Sequence, residues 1–588
     1  MSVRGKLSRG CQMCRVRRIK CDETRPICIQ CIKSSRACPG YKDEFDVLLR
    51  DQTETTRQKV QRGGKKASRR LERQRDDQRL NSSSCAQHGP TGVVAVQQPL
   101  EELATCHFIS NYILLPHHGK FIGFMEFVVP LLKTGKAPSH YRHAFEACAL
   151  ASLNNGVGNR NHFEQLAIGK YTKALSATSA AIKDPEVAKE DATLATVLLL
   201  ALFENITGKA VGRLAWGSHV DGAMQLVKLR GREQLQTQLG FDMFITVRMQ
   251  MIIHSLSSSK PPSMGAAWWI EDACKDSYAA QSETLCIKTG ELRSEVARLM
   301  PIERDDSSIE LVSQMIRRCQ ALDDKCTRWC QNPPEHFQYE SIASTNEITH
   351  GQYSEAEVYP GRIDIYNDLR ASMIWNSLRC ARIVLHSLTL RCMAWMHAPA
   401  DYRSIAEYSN AASSTMDIAR DIMASVPYQL GWFNRQRTLD GPPNLSSFGC
   451  GEDDSLKGLS GYFMSWPLAF IYSLDYLADS ERTWVRGRLQ YIGSQLGVRY
   501  SLLLTKMNVR FPSMLIFADR LAAKKSSSTP YDFLKIFSTK KSSQVLAGDV
   551  GPQTPQYRTK HEGTSVSVLD EQRAETWLEA QYIATTPI

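Results

Sequence analysis

Six cysteines hold most of the chemistry this sequence offers: Cys11, Cys14, Cys21, Cys28, Cys31 and Cys38 read C-x2-C-x6-C-x6-C-x2-C-x6-C. One half-unit is used twice, Cys11/Cys14/Cys21 recurring seventeen residues later as Cys28/Cys31/Cys38. The chain has 17 cysteines, an odd number, and the others are scattered, so a disulfide framework is not expected. The N-terminus runs straight into Arg4, Lys6 and Arg9 with no apolar leader, which makes the cell interior the expected compartment. Paired C-x2-C thiolates in that setting point to zinc. Zinc takes four tetrahedral ligands, so two ions need eight ligand positions, and six sulfurs fill eight only if two of them bridge. A segment this short buries too little apolar area to fold alone, and metal binding must supply most of its folding free energy.

The second chemical feature is cationic. Between Cys14 and Cys21 lie Arg15, Val16, Arg17, Arg18, Ile19 and Lys20, four cations in six positions. On a short helix Val16 and Ile19 are expected to face the sulfurs while the basic side chains point outward. The whole chain carries +11, and that excess sits at one end: residues 1–80 hold 22 Lys and Arg against 10 Asp and Glu, and the remainder is close to neutral. Such a basic end is the footprint of a polyanion binder, acting through phosphate neutralisation and counterion release. Charge alone leaves nucleic acid and an anionic membrane surface both open. Cations also favour an anionic cluster of two zinc ions and six thiolates, but that does not account for Lys33, Arg36 and the basic arm beyond them.

At these residues the sequence resembles the fungal Zn2Cys6 binuclear-cluster transcription factors, with all six spacings matched without insertion. The resemblance implies two Zn2+ ions bridged by Cys11 and Cys28. One ion would then take Cys14 and Cys21 as its remaining ligands, and the other Cys31 and Cys38. Pro26 stands in the loop where the family carries a proline. The resemblance further implies that the helix after Cys14 enters the major groove of double-stranded DNA and reads CGG-type triplets. The base-reading position falls on Arg18, where many members carry lysine; arginine can bond guanine O6 and N7 together. Arg15, Arg17, Lys20, Lys33 and Arg36 would mainly hold phosphates. A nuclear regulator of RNA polymerase II transcription is the function so implied.

Stepping outward along the chain, the expected organisation is mostly α: a Zn2Cys6 finger over 8–42, a flexible basic linker over 43–100, a large all-α regulatory domain over 101–545 and a polar tail over 546–588. From Asp51 to Pro90 six of forty residues are apolar and none is aromatic, too few to bury a core. Val60, Leu71 and Leu80 form no heptad, so the linker carries no coiled coil, and the protein binds DNA as a monomer or dimerises through its helical domain. Lys65, Lys66, Arg69 and Arg70 read either as a nuclear-import signal or as a solvated tether.

Beyond residue 100 the apolar residues recur at helical spacing. One stripe is Phe163, Leu166, Ala167, Tyr171, Ala174, Leu175 and Thr178; others are Leu194, Val197, Leu198, Ala201 and Leu202, then Trp216, Val220, Ala223 and Val227 stopping near Gly231, then Leu378 to Trp395. Breaks are expected at Lys260–Pro262, Asn332–Pro334 and Gly441–Pro443. The twelve-residue, largely apolar stretch between Asp191 and Glu204 is too short to span a bilayer, so no membrane is expected as a partner. Asp191–Glu204, Trp216–Gly231, Trp466-Pro467-Leu468 and the stretch from Arg482 to Leu489 also resemble the fungal-specific transcription factor domain, which in that family is regulatory and sometimes senses a small molecule. Trp216, Trp395 and Trp466 are expected in the core.

Little else suggests catalysis. No G-x-S-x-G, H-E-x-x-H or G-x-x-x-x-G-K-[ST] occurs, and Gly156-Val157-Gly158 lacks the third glycine of a dinucleotide loop. His117–His118 reads as a surface turn, and Cys326 with Cys330 as a reduced, partly buried pair. The acidic end around Asp570, Glu571, Trp577 and Leu578 suits either a segment that folds onto transcription coregulators or a docked terminal helix. The rival to a regulator is an enzyme whose helical domain is catalytic and whose finger tethers it to chromatin; the missing motifs speak against it.

Overall fold

A computed structural model describes residues 13, 14, 17, 19, 21, 22, 28–34 and 38 near the N-terminus, and 99–521 apart from 116–122, 134–136, 157–161, 209–214, 272, 274–275, 349–350, 432–457 and 508. The expectations for the linker, Gly441–Pro443, His117–His118, the third-glycine loop and the polar tail lie outside the described residues. The chain divides into two units, 1–93 and 94–588.

The larger unit is built from helices, whose longer members are numbered here: α1 (Leu100–Tyr112), α2 (Ser139–Gly156), α3 (His162–Ala181), α4 (Asp191–Thr207), α5 (Ala215–Arg230), α6 (Gln238–Ser257), α7 (Ser277–Leu299) and α8 (Asp306–Gln331). A hairpin of β1 (Tyr339–Thr345) and β2 (Gly361–Tyr366) follows. Then come α9 (Leu369–His397), α10 (Ala406–Gln429), α11 (Gly458–Tyr472) and α12 (Asp479–Ser494). Several starts are written in the sequence as side-chain caps. Thr237 accepts the Gly240 N–H ahead of α6, Asp276 accepts two amides ahead of α7, Asp305 and Ser308 form a capping box on α8, and Asp368 caps α9. Each such cap is worth about 1 kcal/mol. No described helix is long and apolar enough to cross a membrane.

The helix α4 is central. Every residue from Ala192 to Thr207 is buried, so it presents an apolar surface all round and packs against α2, α3, α5 and α6. Its threonines are satisfied locally: Thr196 and Thr207 hydroxyls donate to the carbonyls four residues back, at 2.6 and 2.9 Å. Glu204 accepts the Tyr171 hydroxyl at 2.6 Å and approaches His219 Nε2 at 3.2 Å. Gly208 ends the helix at φ +60, where a Cβ would also sit 2.8 Å from the Arg499 backbone. Asn155 Nδ2 ties the same region together, donating to the Ile206 carbonyl at 2.8 Å and the Gly497 carbonyl at 2.6 Å.

The stripes on α4, α5 and α9 are buried as expected, and Gly231 follows α5 at φ +66. On α3 the stripe is narrower than expected. Ala167, Tyr171, Ala174 and Thr178 are buried, but Leu166 is 45% exposed because the helix meets its neighbours along one edge. Trp216, Trp395 and Trp466 all lie in the core, with the rings of Trp216 and Trp466 5.1 Å apart. Lys260–Pro262 and Asn332–Pro334 fall between helices. Cys326 is buried and Cys330 half-buried, and both are free thiols. Burial pushes the Cys326 thiol up to about 12.

The fold is mostly α, as expected, with one addition that helical periodicity did not announce. The antiparallel pair β1–β2 sets Tyr339 opposite Tyr366 and contains a bulge between Ser341 and Ala343. Asp364, fully buried on β2, accepts from Arg362 Nε at 2.8 Å and from the Ser341 hydroxyl at 2.7 Å.

One carboxyl pair makes stability depend on pH. Burial raises the Glu126 carboxyl above the usual carboxylate range, and the neighbouring Asp242 carboxyl adds to the rise. A carboxyl raised in the folded state stabilises fully only below its unfolded pKa of about 4.3, and that stability is lost as pH climbs through the folded value. Glu126→Gln removes the penalty. Its thermal midpoint is expected to exceed that of the parent by about 1–2 °C at pH 8 and to match it near pH 5. A gap that is equal at both pH values would contradict the assignment.

Candidate metal centre and DNA interface

The second C-x2-C is shaped by a helix start. Cys28 has extended backbone (φ −74, ψ 144) and caps the short helix Ile29–Lys33, its sulfur accepting the Cys31 N–H at 3.3 Å. That turn explains the spacing of two, because it folds the Cys31 side chain back beside the Cys28 sulfur. Cys14, Cys28 and Cys31 are fully buried, and their sulfurs all lie within 4.8 Å of one another. Met13, Cys21 and Cys38 pack around them. A second group, Cys21, Asp22 and Cys28, meets the same distance limit, so Cys28 belongs to both.

The Cys14 and Cys28 sulfurs are 3.6 Å apart, far beyond a disulfide bond of about 2.05 Å. Two thiolates sharing a tetrahedral zinc at about 2.3 Å stand roughly 3.8 Å apart, so the donor set suits zinc. Cys14, Cys21, Cys28, Cys31 and Cys38 are thereby placed together as residues that would hold it, and Cys11 lies outside the described residues. When bound, zinc supplies the cross-links that a core of this size lacks.

Asp22 has a structural task. Its carboxylate accepts the Ile29 and Gln30 N–H groups at 3.1 and 3.3 Å, capping the short helix across seven residues of sequence. Of the cations, Arg17 and Lys33 are described and exposed. Arg17 Nη1 donates to the Ser34 hydroxyl at 3.0 Å, joining the two half-units, while Ser34 donates to the Gln30 carbonyl at 2.8 Å. Lys33 closes the last turn of the short helix. Arg15, Arg18, Lys20, Arg36, Val16 and Pro26 lie outside the described residues. Ile19 departs from expectation: it is 39% exposed instead of facing the sulfurs, because a sulfur centre offers too little apolar surface to cover it. The roles of Asp22 and Ser34 escaped the sequence reading. Asp22 directly after a cysteine was visible, but nothing local marked the helix it caps.

Two families match the chain. The fungal Zn(2)-Cys(6) binuclear cluster domain covers residues 9–46, and the fungal specific transcription factor domain covers 106–359. The stretches Asp191–Glu204 and Trp216–Gly231 fall inside the second match, whereas Trp466–Leu468 and 482–489 lie beyond it. Similar proteins include an uncharacterized transcriptional regulatory protein of Schizosaccharomyces pombe, 60% identical over 39 residues, 7% of each chain. The transcriptional regulatory protein moc3 of the same yeast is 62% identical over 32 residues, 5% of this chain and 6% of its own. The aspercryptin biosynthesis cluster-specific transcription regulator atnN of Emericella nidulans is 52% identical over 40 residues, 7% of each. These likenesses span less than a tenth of either chain, and no solved structure matches. Six cysteines at that spacing, five of them gathered about one buried sulfur core, thus coincide with a match to the fungal Zn(2)-Cys(6) binuclear cluster domain, and a match to the fungal specific transcription factor domain lies behind it.

Proposed function

We propose that the protein is a zinc-dependent, sequence-specific regulator of RNA polymerase II transcription, acting in the nucleus. The finger (8–42) holds two zinc ions and reads CGG-type triplets through the helix after Cys14, with Arg18 at the base edge. Arg15, Arg17, Lys20, Lys33 and Arg36 grip phosphates. A basic linker (43–100), a regulatory helical domain (101–545) and a polar tail (546–588) complete the division, the tail or the helical domain meeting transcription coregulators. The observation that carries this reading is the packing of Cys14, Cys28 and Cys31 into one buried group, with Arg17 and Lys33 left on its outside.

The test is a binding-site selection with the full-length, zinc-loaded chain. Arg18→Ala is expected to relax triplet preference, losing about 1–3 kcal/mol of discrimination against the wrong base. Lys33→Ala is expected to weaken every sequence alike and to reduce the salt slope of binding by about one. Unchanged triplet selectivity in Arg18→Ala would refute the base-reading role.

A further inference from the structure

The helical domain buries arginines, and most of their charge is answered. Arg248 faces Glu283 at 2.7 Å, and Arg391 holds Asp519 through two bonds of 2.6 and 2.8 Å. Arg293, on α7, is 5% exposed and has no carboxylate partner among the described residues. Its Nε has no hydrogen-bond partner, and its Nη2 reaches only the Ser257 carbonyl, at 3.4 Å. Arg391 is close enough to repel it. Burial first, then that like charge, lowers the Arg293 guanidinium to about 10, still cationic at neutral pH. An unanswered buried cation is costly, and a native fold that keeps one has a use for an anion there.

Arg293 lines a cavity of about 70 Å³ whose walls include Val384, Trp466, Phe470 and Phe511, with its guanidinium carbon 5.8 Å from the Phe511 ring centre. A second cavity of about 90 Å³ adjoins it, sharing Leu256, Trp466 and Phe470. Together they compare with the ~150 Å³ apolar cavity that admits benzene. The hydroxyls on the wall are already committed: Ser257, Ser387 and Ser473 donate to the carbonyls of His254, Ile383 and Phe470. The Trp466 indole N–H, on the shared wall, is buried without an acceptor. The Arg293 cavity thus has largely apolar walls, one fixed cation and one spare neutral donor, the composition of a small-molecule pocket, while the adjoining cavity is more polar and is lined also by Gln250, Glu283, Arg370 and Asn376.

We propose that this cavity binds a small amphipathic monocarboxylate, a short branched or aromatic acid, with its carboxylate on Arg293 and its apolar body against Trp466 and Phe470. The site belongs to the helical domain alone, so it holds whether or not the finger reads DNA.

The test uses the full-length, zinc-loaded protein with isovalerate and benzoate against their neutral isosteres isovaleramide and benzamide, followed by calorimetric titration and thermal midpoint. The acids are expected to bind about tenfold or more tightly than the amides and to raise the midpoint. Arg293→Met is expected to erase that preference while its own midpoint does not fall, since an unpaired buried charge has gone. Arg293→Lys, which keeps the charge without the two-pronged geometry, is expected to retain part of the preference and is read in its place should Arg293→Met fail to fold. Amides that bind as well as acids, no binding by either acid, or undiminished acid binding by Arg293→Met would each overturn the proposal.

Discussion

Cys28→Ser is expected to abolish specific DNA binding, lowering affinity at least a hundredfold, while the thermal transition of the helical domain stays where it was. The argument starts from position. Cys28 caps the Ile29–Lys33 helix, lies 3.6 Å from Cys14, and is the one residue common to both groups of ligand atoms. Structural zinc contributes about 10–16 kcal/mol to folding in small metal-built domains, so weakening its ligand set removes most of what holds the segment together. Serine keeps the size but not the soft anionic donor that zinc prefers. Bound zinc by elemental analysis and fluorescence anisotropy on a CGG duplex check the two halves of the expectation. Cys326→Ser is the control: that thiol is buried among helices with its pKa pushed up, so its loss leaves zinc content and DNA affinity unchanged. Retention of full zinc and full binding by Cys28→Ser would remove the finger from the account.

The largest expected loss of stability comes from Arg248→Met. Arg248 is fully buried on α6, faces Glu283 of α7 at 2.7 Å, and donates to the Trp269 and Ala273 carbonyls at 3.1 and 3.3 Å. Its removal leaves the Glu283 carboxylate and two carbonyls behind in the interior. Breaking one side of a buried pair costs about 3–5 kcal/mol, so the urea midpoint should fall sharply. Adding Glu283→Gln to the same chain should recover part of that loss, because it removes the stranded charge. If the single variant unfolds at the parental urea concentration, the pair contributes nothing and the argument fails.

What the sequence made legible, and what it did not, follows from how local each interaction is. The cysteine spacing could be read because metal ligation at a helix start is settled within a few residues: Cys31 folds back onto Cys28 over one turn. The stripes on α5 and α9 could be read because their apolar residues recur every three or four, whereas on α4 the stripe understated a helix that is buried on every side. Strand β1 could not, since its middle residues are exposed and do not alternate; it exists because β2, some twenty residues on, pairs with it. Buried charge was equally invisible. Nothing near Arg248 or Arg293 in the chain distinguishes the arginine that meets a carboxylate from the one that does not, because the difference is decided by side chains from other helices. The Asp22 cap failed to show for the same reason, at shorter range.

The bonds that Asn155 sends to both Ile206 and Gly497 carry a consequence for damaged copies of the gene. The matched span closes at residue 359, yet the end of α4 is sealed by backbone at Gly497 and Arg499, encoded more than a hundred codons later. A nonsense mutation after that span would not yield a shorter working regulator. The ribosome would release a chain in which the C-terminal end of α4 has lost its cover and the helices that pack on α9 are bared, a substrate for chaperones and proteases. Heredity should therefore treat late truncations of this protein as severely as early ones.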